Sequence, residues 1–332
     1  MTWHWLVFLL SSTAIILAGI RLAPYGEAIG RRTGIGQGWI GLLFLATLTS
    51  IPEMTTTVTG AMIDVPNMAL GNAFGSNLFN VMIVAVLDVL LLGRGPFLLK
   101  VRTYHVLSGS VAILLTLVAA LGMVVGSSTT WLGISPFSWL ILVGYIIGVF
   151  ILFHAEKQQL ELEEEGHEPM SLQKAILGFA ICAVVVVASG VFLIRSSKEI
   201  ALATGLSASF MGAILIAIVT SLPELATSIG ALRIGAYDMI VGNLFGSNMF
   251  NILTIFFADA AFRSGSILAG LRGGETDQLI VAICGVLLTA IAMIAIGSRS
   301  RRKVVGVGID SVILLVAYLM AVGLIISRGI QL

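Results

Sequence analysis

Charge is scarce in this sequence. Asp, Glu, Lys and Arg make up 11% of its 332 residues, less than half of the roughly 25% found in an ordinary soluble domain. With 58% of the residues hydrophobic, that deficit excludes a disordered tail, a nucleic-acid module and a cytosolic enzyme, because too much apolar surface would face water. The net charge is +1, so no global field gathers polyanions. Cysteine is rarer still. Cys182 and Cys284 both sit in apolar runs and match neither a disulfide framework nor a CxxC metal site; they read as buried thiols. His4, His105, His154 and His167 fall near the ends of apolar runs or in loops, which gives them no part in a proton relay. These absences leave a polytopic membrane protein, and its few polar residues become the informative ones.

What is present is long apolar helix. A membrane-spanning helix needs about 20 mostly apolar residues. Ten stretches qualify, near 3–20, 38–62, 67–92, 104–126, 132–153, 172–194, 205–231, 237–262, 278–297 and 306–326. The first follows no basic segment and ends in LAGIRLAPYGE without a cleavage site, so it reads as a retained helix and not a signal peptide. Thirteen lysines and arginines fall in one alternating set of loops and five in the other. The richer side is expected to be cytoplasmic, with both termini outside a prokaryotic inner membrane. Trp3, Trp5, Trp39, Trp131 and Trp139 lie near span ends, as an interfacial belt would. The longest polar stretch, 154–171, carries six glutamates and reads as a solvated cytoplasmic linker.

The chain repeats itself. Residues 49–53 read TSIPE and 220–224 read TSLPE; residues 71–80 read GNAFGSNLFN and 242–251 read GNLFGSNMFN. Both pairs share an offset of 171, which holds without a gap from Gly41/Gly212 to Asp88/Asp259. Five spans lie on each side of the linker, and an odd number turns the second copy over. The expected architecture is therefore all-α, with ten transmembrane helices as two inverted five-helix repeats, 1–153 and 172–332, joined by the linker 154–171. Such repeats are typical of secondary transporters, whose substrate site lies at the midplane where the repeats meet. Here that places the site among helices 2, 3, 7 and 8.

Pro52 and Pro223 each remove an amide donor inside an apolar run and free the carbonyl four residues back, at Leu48 and Val219. A freed carbonyl in hydrocarbon needs a partner, and a dehydrated cation is one. Glu53 and Glu224 follow the prolines. An ionisable group at this depth faces a cavity, a partner or an ion, and the surrounding core spans contain no Lys or Arg. Two carboxylates without a fixed partner call for a mobile cation or a proton. Thr49 and Ser50 share the side of Glu53, and Thr220 and Ser221 that of Glu224. Asn72, Ser76 and Asn80 form a stripe at steps of four, repeated as Asn243, Ser247 and Asn251. All are oxygen donors, without His or Cys. They suit Ca²⁺, Na⁺ or Mg²⁺, and a dry cage favours Ca²⁺ over the reluctantly dehydrated Mg²⁺. The GxxxG pairs Gly71/Gly75 and Gly242/Gly246 let each stripe approach a broken helix. Thr55, Thr56 and Thr57 either line an access path or bond backward to their own helix. Asp88 and Asp259 lie near the surface, where Arg94 and Arg263 are the expected partners.

The doubled motif resembles the α-repeats of the sodium/calcium exchanger family, in the cation/calcium exchanger superfamily. The close match covers residues 41–88 and 212–259. The resemblance implies an antiporter, not an enzyme, that moves Ca²⁺ against Na⁺ or H⁺ by alternating access without a cofactor. It implies side-chain ligands at Thr49, Ser50, Glu53, Ser76, Asn80, Thr220, Ser221, Glu224, Ser247 and Asn251, and backbone carbonyl ligands at Ala46 and Ala217. Two positions depart from the family pattern. Leu48 and Val219 stand where members often carry Gly, and Asn251 stands where some microbial exchangers carry Asp. Two central carboxylates then remain, whose charge of −2 balances one Ca²⁺, two Na⁺ or two H⁺. A Ca²⁺/H⁺ antiporter of the same fold is the runner-up. A cation channel and an intramembrane hydrolase using paired acids are the other classes: inverted repeats argue against the first, and the lack of a nucleophile motif against the second.

Overall fold

The computed structural model describes residues 2–91, 96–126, 128–160, 170–204, 219–269, 275–304 and 306–327. Its helices are α1 (Thr2–Thr33), α2 (Gln37–Thr49), α3 (Ile51–Met62), α4 (Pro66–Leu90), α5 (His105–Val125), α6 (Pro136–Leu160), α7 (Leu172–Thr204), α8 (Leu222–Ile234), α9 (Tyr237–Ala261), α10 (Glu275–Ser298) and α11 (Ile309–Ser327). Among the described residues, eight helices are long and apolar enough to cross a membrane. A two-residue hairpin, Lys303–Val304 against Val307–Gly308, precedes α11. The acidic stretch 161–169 and the start of the expected seventh span, 205–218, lie outside the described residues.

The polar motifs decide which helices sit at the centre. The best membrane windows of α4 and α9 are 78% and 89% buried, against 22–50% for the other six. They are also the two least apolar of the eight. A helix carrying Asn and Ser is poorly suited to lipid but well suited to a protein interior that supplies hydrogen bonds. The outer helices show the reverse: Leu114, Ile146, Phe150, Ile294 and Met320 all stand exposed, which in water would be a large apolar surface and in a bilayer is the lipid contact.

Both TSxPE motifs break a helix. Thr49 ends α2, Ser50 adopts φ −90°, ψ 8°, and α3 starts anew with Pro52 in its first turn. At the second copy Ser221 adopts φ −88°, ψ 10°, and α8 starts with Pro223. A proline is tolerated in the first turn because no amide donor is needed there. Within α2, residues Ile40–Leu45 form a π-helical segment, a wide turn frequent at functional sites. Glycine allows α9 to lie on that segment. A Cβ at Gly242 would run into the carbonyl of Gly38, and one at Gly246 into that of Leu42. The stripe of the second copy thus packs against the broken helix of the first.

Three sequence expectations are corrected. First, α1 extends well past residue 20, because Ala23, Gly26, Ala28 and Gly30 are buried, with Gly26 close to Ile40 and Phe179. Second, Trp39 is buried against Phe153, 4.9 Å between ring centroids, and is not part of an interfacial belt. Asp88 accepts the N–H of Phe97 and that of Gly308 at 2.7 Å; its expected partner Arg94 lies outside the described residues. Third, Asp259 is met not by Arg263 but by backbone amides: it accepts the N–H of Ser135 at 2.7 Å and of Ile267 at 2.6 Å. In each copy one buried Asp side chain pins two loop segments to a central helix through backbone amide hydrogen bonds. Of the histidines, His105 is fully buried at the start of α5, its Nε2 3.3 Å from Asp238.

Candidate cation site

Glu53 and Glu224 are the first-turn acids of α3 and α8. A carboxylate there meets the positive end of the helix dipole and free backbone N–H groups. Both are 0% exposed. Among the described residues neither has a Lys, Arg or His within salt-bridge distance.

The two breaks serve each other. Ser50 donates to Glu224 Oε1 at 3.0 Å, and Ser221 donates to Glu53 Oε1 at 3.2 Å. Ser247, from α9, donates to Glu224 Oε1 at 3.4 Å. Thr49 lies beside Glu224 and Thr220 beside Glu53. Residues of the two copies far apart in sequence therefore form one polar centre. Thr49 also donates to the Leu45 carbonyl at 3.0 Å and contacts Asn243 Oδ1 at 3.4 Å. The carbonyl of Ala46 accepts the Ser50 N–H at 3.1 Å and keeps a second lone pair. Ala217 lies outside the described residues.

Several buried oxygens of the candidate residues have no hydrogen-bond partner: Oε2 of Glu53, Oε2 of Glu224, Oγ of Ser76, Oδ1 of Asn80 and Oδ1 of Asn251. A buried polar atom left unmatched is destabilising by about 1–3 kcal/mol. Five such oxygens among the candidate residues favour a ligand over a merely structural role. They are all oxygens, the ligand type that hard cations prefer. All five belong to residues that the sequence marks as candidates.

Asn72 and Asn243 brace the broken helices. Asn72 Nδ2 donates to the Glu53 carbonyl at 3.0 Å and to Thr57 Oγ1 at 2.9 Å; Asn243 Nδ2 donates to Thr227 Oγ1 at 3.1 Å. Thr55 and Thr56 bond backward to Ile51 and Pro52, whereas Thr57 Oγ1 accepts from Asn72. The sequence reading overlooked Asn77 and Asn248. Asn80 Nδ2 donates to Asn248 Oδ1 and Asn251 Nδ2 to Asn77 Oδ1, both at 3.1 Å. The signal was available: both lie inside the repeated decapeptide at the shared offset of 171.

Comparison with known proteins agrees with this architecture. The profile of the family described as sodium/calcium exchanger protein matches residues 3–153 and 174–327. The putative antiporter CaxA of Alkalimonas amylolytica is 28% identical, over 86% of this chain and 90% of that protein. The sodium/calcium exchanger MaX1 of Methanosarcina acetivorans is 23% identical, over 88% of this chain and 92% of that one. The solved structure of the sodium-calcium exchanger NCX_Mj, soaked with Na⁺ and Ca²⁺, superposes with a TM-score of 0.71 at 20% identity, covering 97% of this chain and 98% of that chain. The fold defines an integral, multi-pass, all-helical membrane protein. Within that class, the chain belongs to the sodium/calcium exchanger family.

Proposed function

We propose that this chain is a secondary transporter that exchanges Ca²⁺ for Na⁺ or H⁺ by alternating access. In this reading ten helices cross the membrane as two inverted five-helix repeats, 1–153 and 172–332, joined by a cytoplasmic linker, 154–171, with both termini outside a prokaryotic inner membrane. The broken pairs α2–α3 and the segment ending in α8 form the second and seventh crossings. The cation sits at the midplane between these, α4 and α9. Its ligands are Glu53, Glu224, Thr49, Ser50, Thr220, Ser221, Ser76, Asn80, Ser247 and Asn251, with the carbonyls of Ala46 and Ala217.

One observation carries the reading: two fully buried carboxylates without a cationic partner among the described residues, each with one oxygen lacking a hydrogen-bond partner. A dehydrated Ca²⁺ matches both their charge and their chemistry. Two Na⁺ or two H⁺ match the charge as well, so the same centre accepts either cargo in turn. With no cation the centre is a buried double anion, which strongly disfavours the empty protein's passage between states. That is the requirement for obligatory exchange. The names of the relatives, a putative antiporter and a sodium/calcium exchanger, point the same way.

The experiment is ⁴⁵Ca²⁺ uptake into proteoliposomes under separately imposed Na⁺ and H⁺ gradients. Outward Na⁺ or H⁺ gradients are expected to drive uptake, and the effective one names the coupling ion. If neither drives it, antiport is wrong; unitary currents in a planar bilayer would then favour a channel.

A further inference from the structure

The two copies grip their broken helices with the same asparagine in two different ways. In the first, Asn72 Nδ2 donates to the backbone carbonyl of Glu53 at 3.0 Å and to Thr57 Oγ1 at 2.9 Å. In the second, Asn243 Nδ2 donates to Thr227 Oγ1 at 3.1 Å. At the offset of 171, Thr227 corresponds to Thr56 and Ser228 to Thr57, so the grip differs by one residue along the helix. The amide orientation is fixed in both copies. The Glu53 carbonyl only accepts, so Asn72 must present its NH₂ there. Thr227 aims its single proton at the carbonyls of Pro223 and Glu224, at 2.9 and 3.1 Å, and its oxygen is left to accept from Asn243. The glutamates are therefore held differently: a side chain of α4 ties the Glu53 carbonyl, whereas the Glu224 carbonyl receives a hydroxyl of its own helix.

Each grip leaves one buried atom idle, and each idle atom is the counterpart of an engaged one. Ser228, 1% exposed, has no hydrogen-bond partner for its Oγ among the described residues, whereas Thr57 Oγ1 has Asn72. Asn72, 5% exposed, has none for its Oδ1, whereas Asn243 Oδ1 contacts Thr49 Oγ1 at 3.4 Å. Unmatched buried polar atoms are destabilising and call for a state in which they are matched. An inverted repeat supplies one, because turning the molecule over exchanges the two copies and the side from which the centre is reached. We infer that Asn72 and Asn243 are positioning residues that exchange grips during transport. In the opposite access state Asn243 takes the Glu224 carbonyl and the Ser228 hydroxyl, and Asn72 falls back to Thr56. Asn72 Oδ1 then meets the Thr220 hydroxyl, as Asn243 Oδ1 meets that of Thr49 here. The change is one residue of helix register, about 1.5 Å along the axis. It ties one glutamate to its neighbouring helix as it unties the other. The inference rests on the exchange function and the inverted repeats proposed above.

The test compares the two faces of the protein. ⁴⁵Ca²⁺ exchange is measured in right-side-out and in inverted membrane vesicles, and the half-saturating Ca²⁺ concentration is read on each face. Ser228→Ala removes a hydroxyl that is engaged only in the opposite state. It is expected to keep its thermal midpoint and to shift the ratio of the two half-saturating concentrations about fivefold, the worth of one hydrogen bond. Ser228→Thr, which restores the hydroxyl in the form that Thr57 has, is expected to return the ratio to the wild-type value. Thr57→Val removes the hydroxyl engaged in the present state and is expected to move the ratio in the opposite direction. General loosening of the site would move both faces together. An unmoved ratio in folded, exchanging Ser228→Ala overturns the exchange of grips and leaves the proposed function standing. Wild-type vesicles that move Ca²⁺ under neither a Na⁺ nor an H⁺ gradient overturn both. Ser228→Ala decides alone if Thr57→Val fails to fold.

Discussion

A carboxylate buried in the membrane needs something to answer its charge, and this chain answers its buried acids in two different ways. Asp88 and Asp259 are met by backbone amides from loop segments. Glu53 and Glu224 are met by serine hydroxyls on one oxygen only, and the other oxygen is left open. The first pair is fully engaged; the second keeps one oxygen of each carboxyl without a hydrogen-bond partner, as the proposed cation site requires. Asp259→Ala is accordingly expected to strand two buried N–H groups and to destabilise the protein by about 2–4 kcal/mol, seen as a lower thermal midpoint in detergent. Added Ca²⁺ is still expected to raise that midpoint, because the cation site keeps its ligands. The sequence showed both pairs at their duplicated positions. It could not show how the aspartates are used, because backbone amides arriving from distant loops leave no side-chain signature. Asn77 was overlooked for a related reason. It lies one residue off the stripe of Asn72, Ser76 and Asn80 and so points at the partner helix and not along the stripe.

At the scale of elements, the breaks and the crossing carry the design. Each break ends in nearly the same backbone angles, at Ser50 and at Ser221, so the duplicated TSxPE sequence is read out as duplicated geometry. Proline placement made these breaks legible in advance. The partner of the glycine pair was not legible, since GxxxG specifies close approach without saying to what. The structure gives α9 to α2 through Gly242 and Gly246. A side chain at Gly242 would meet a backbone carbonyl, which cannot swing aside. Gly242→Val is therefore expected to cost at least about 1–3 kcal/mol as overpacking. Because it separates α9 from the broken helix, it should also weaken Ca²⁺ stabilisation in the same thermal assay. An unchanged midpoint and unchanged Ca²⁺ response would show that this approach is not needed. The length of α1 illustrates a further limit of hydropathy. Its second half carries Arg21, Glu27, Arg31 and Arg32 and reads as a loop, yet small residues on one face pack it against its neighbours.

For the whole molecule, the scarcity of charge is the main fact. Charges at loops and helix ends are expected to set orientation, and those at the centre are the ones proposed to hold the cation. The charge asymmetry between loops predicts that the N-terminus and the acidic linker lie on opposite sides of the membrane. Thr2→Cys and His167→Cys, each with the two native cysteines replaced by serine, test this in right-side-out vesicles. A membrane-impermeant maleimide is expected to label the first and spare the second; the reverse pattern would overturn the orientation. The helical class and the repeat were legible because hydropathy and a duplicated motif are one-dimensional signals. How the copies interlock, with each serine serving the other copy's glutamate, was not, because no local sequence pattern encodes a contact across 168 or 174 residues.

The central claim is that Glu53 and Glu224 hold the transported cation. It is tested most directly by ⁴⁵Ca²⁺ exchange in proteoliposomes containing wild type, Glu53→Gln or Glu224→Gln, with folding checked by size-exclusion profile and thermal midpoint. Both variants are expected to remain folded and to lose exchange to the level of empty vesicles, since each amide removes one of the two charges that balance Ca²⁺. Wild-type exchange rates in both folded variants would contradict the account.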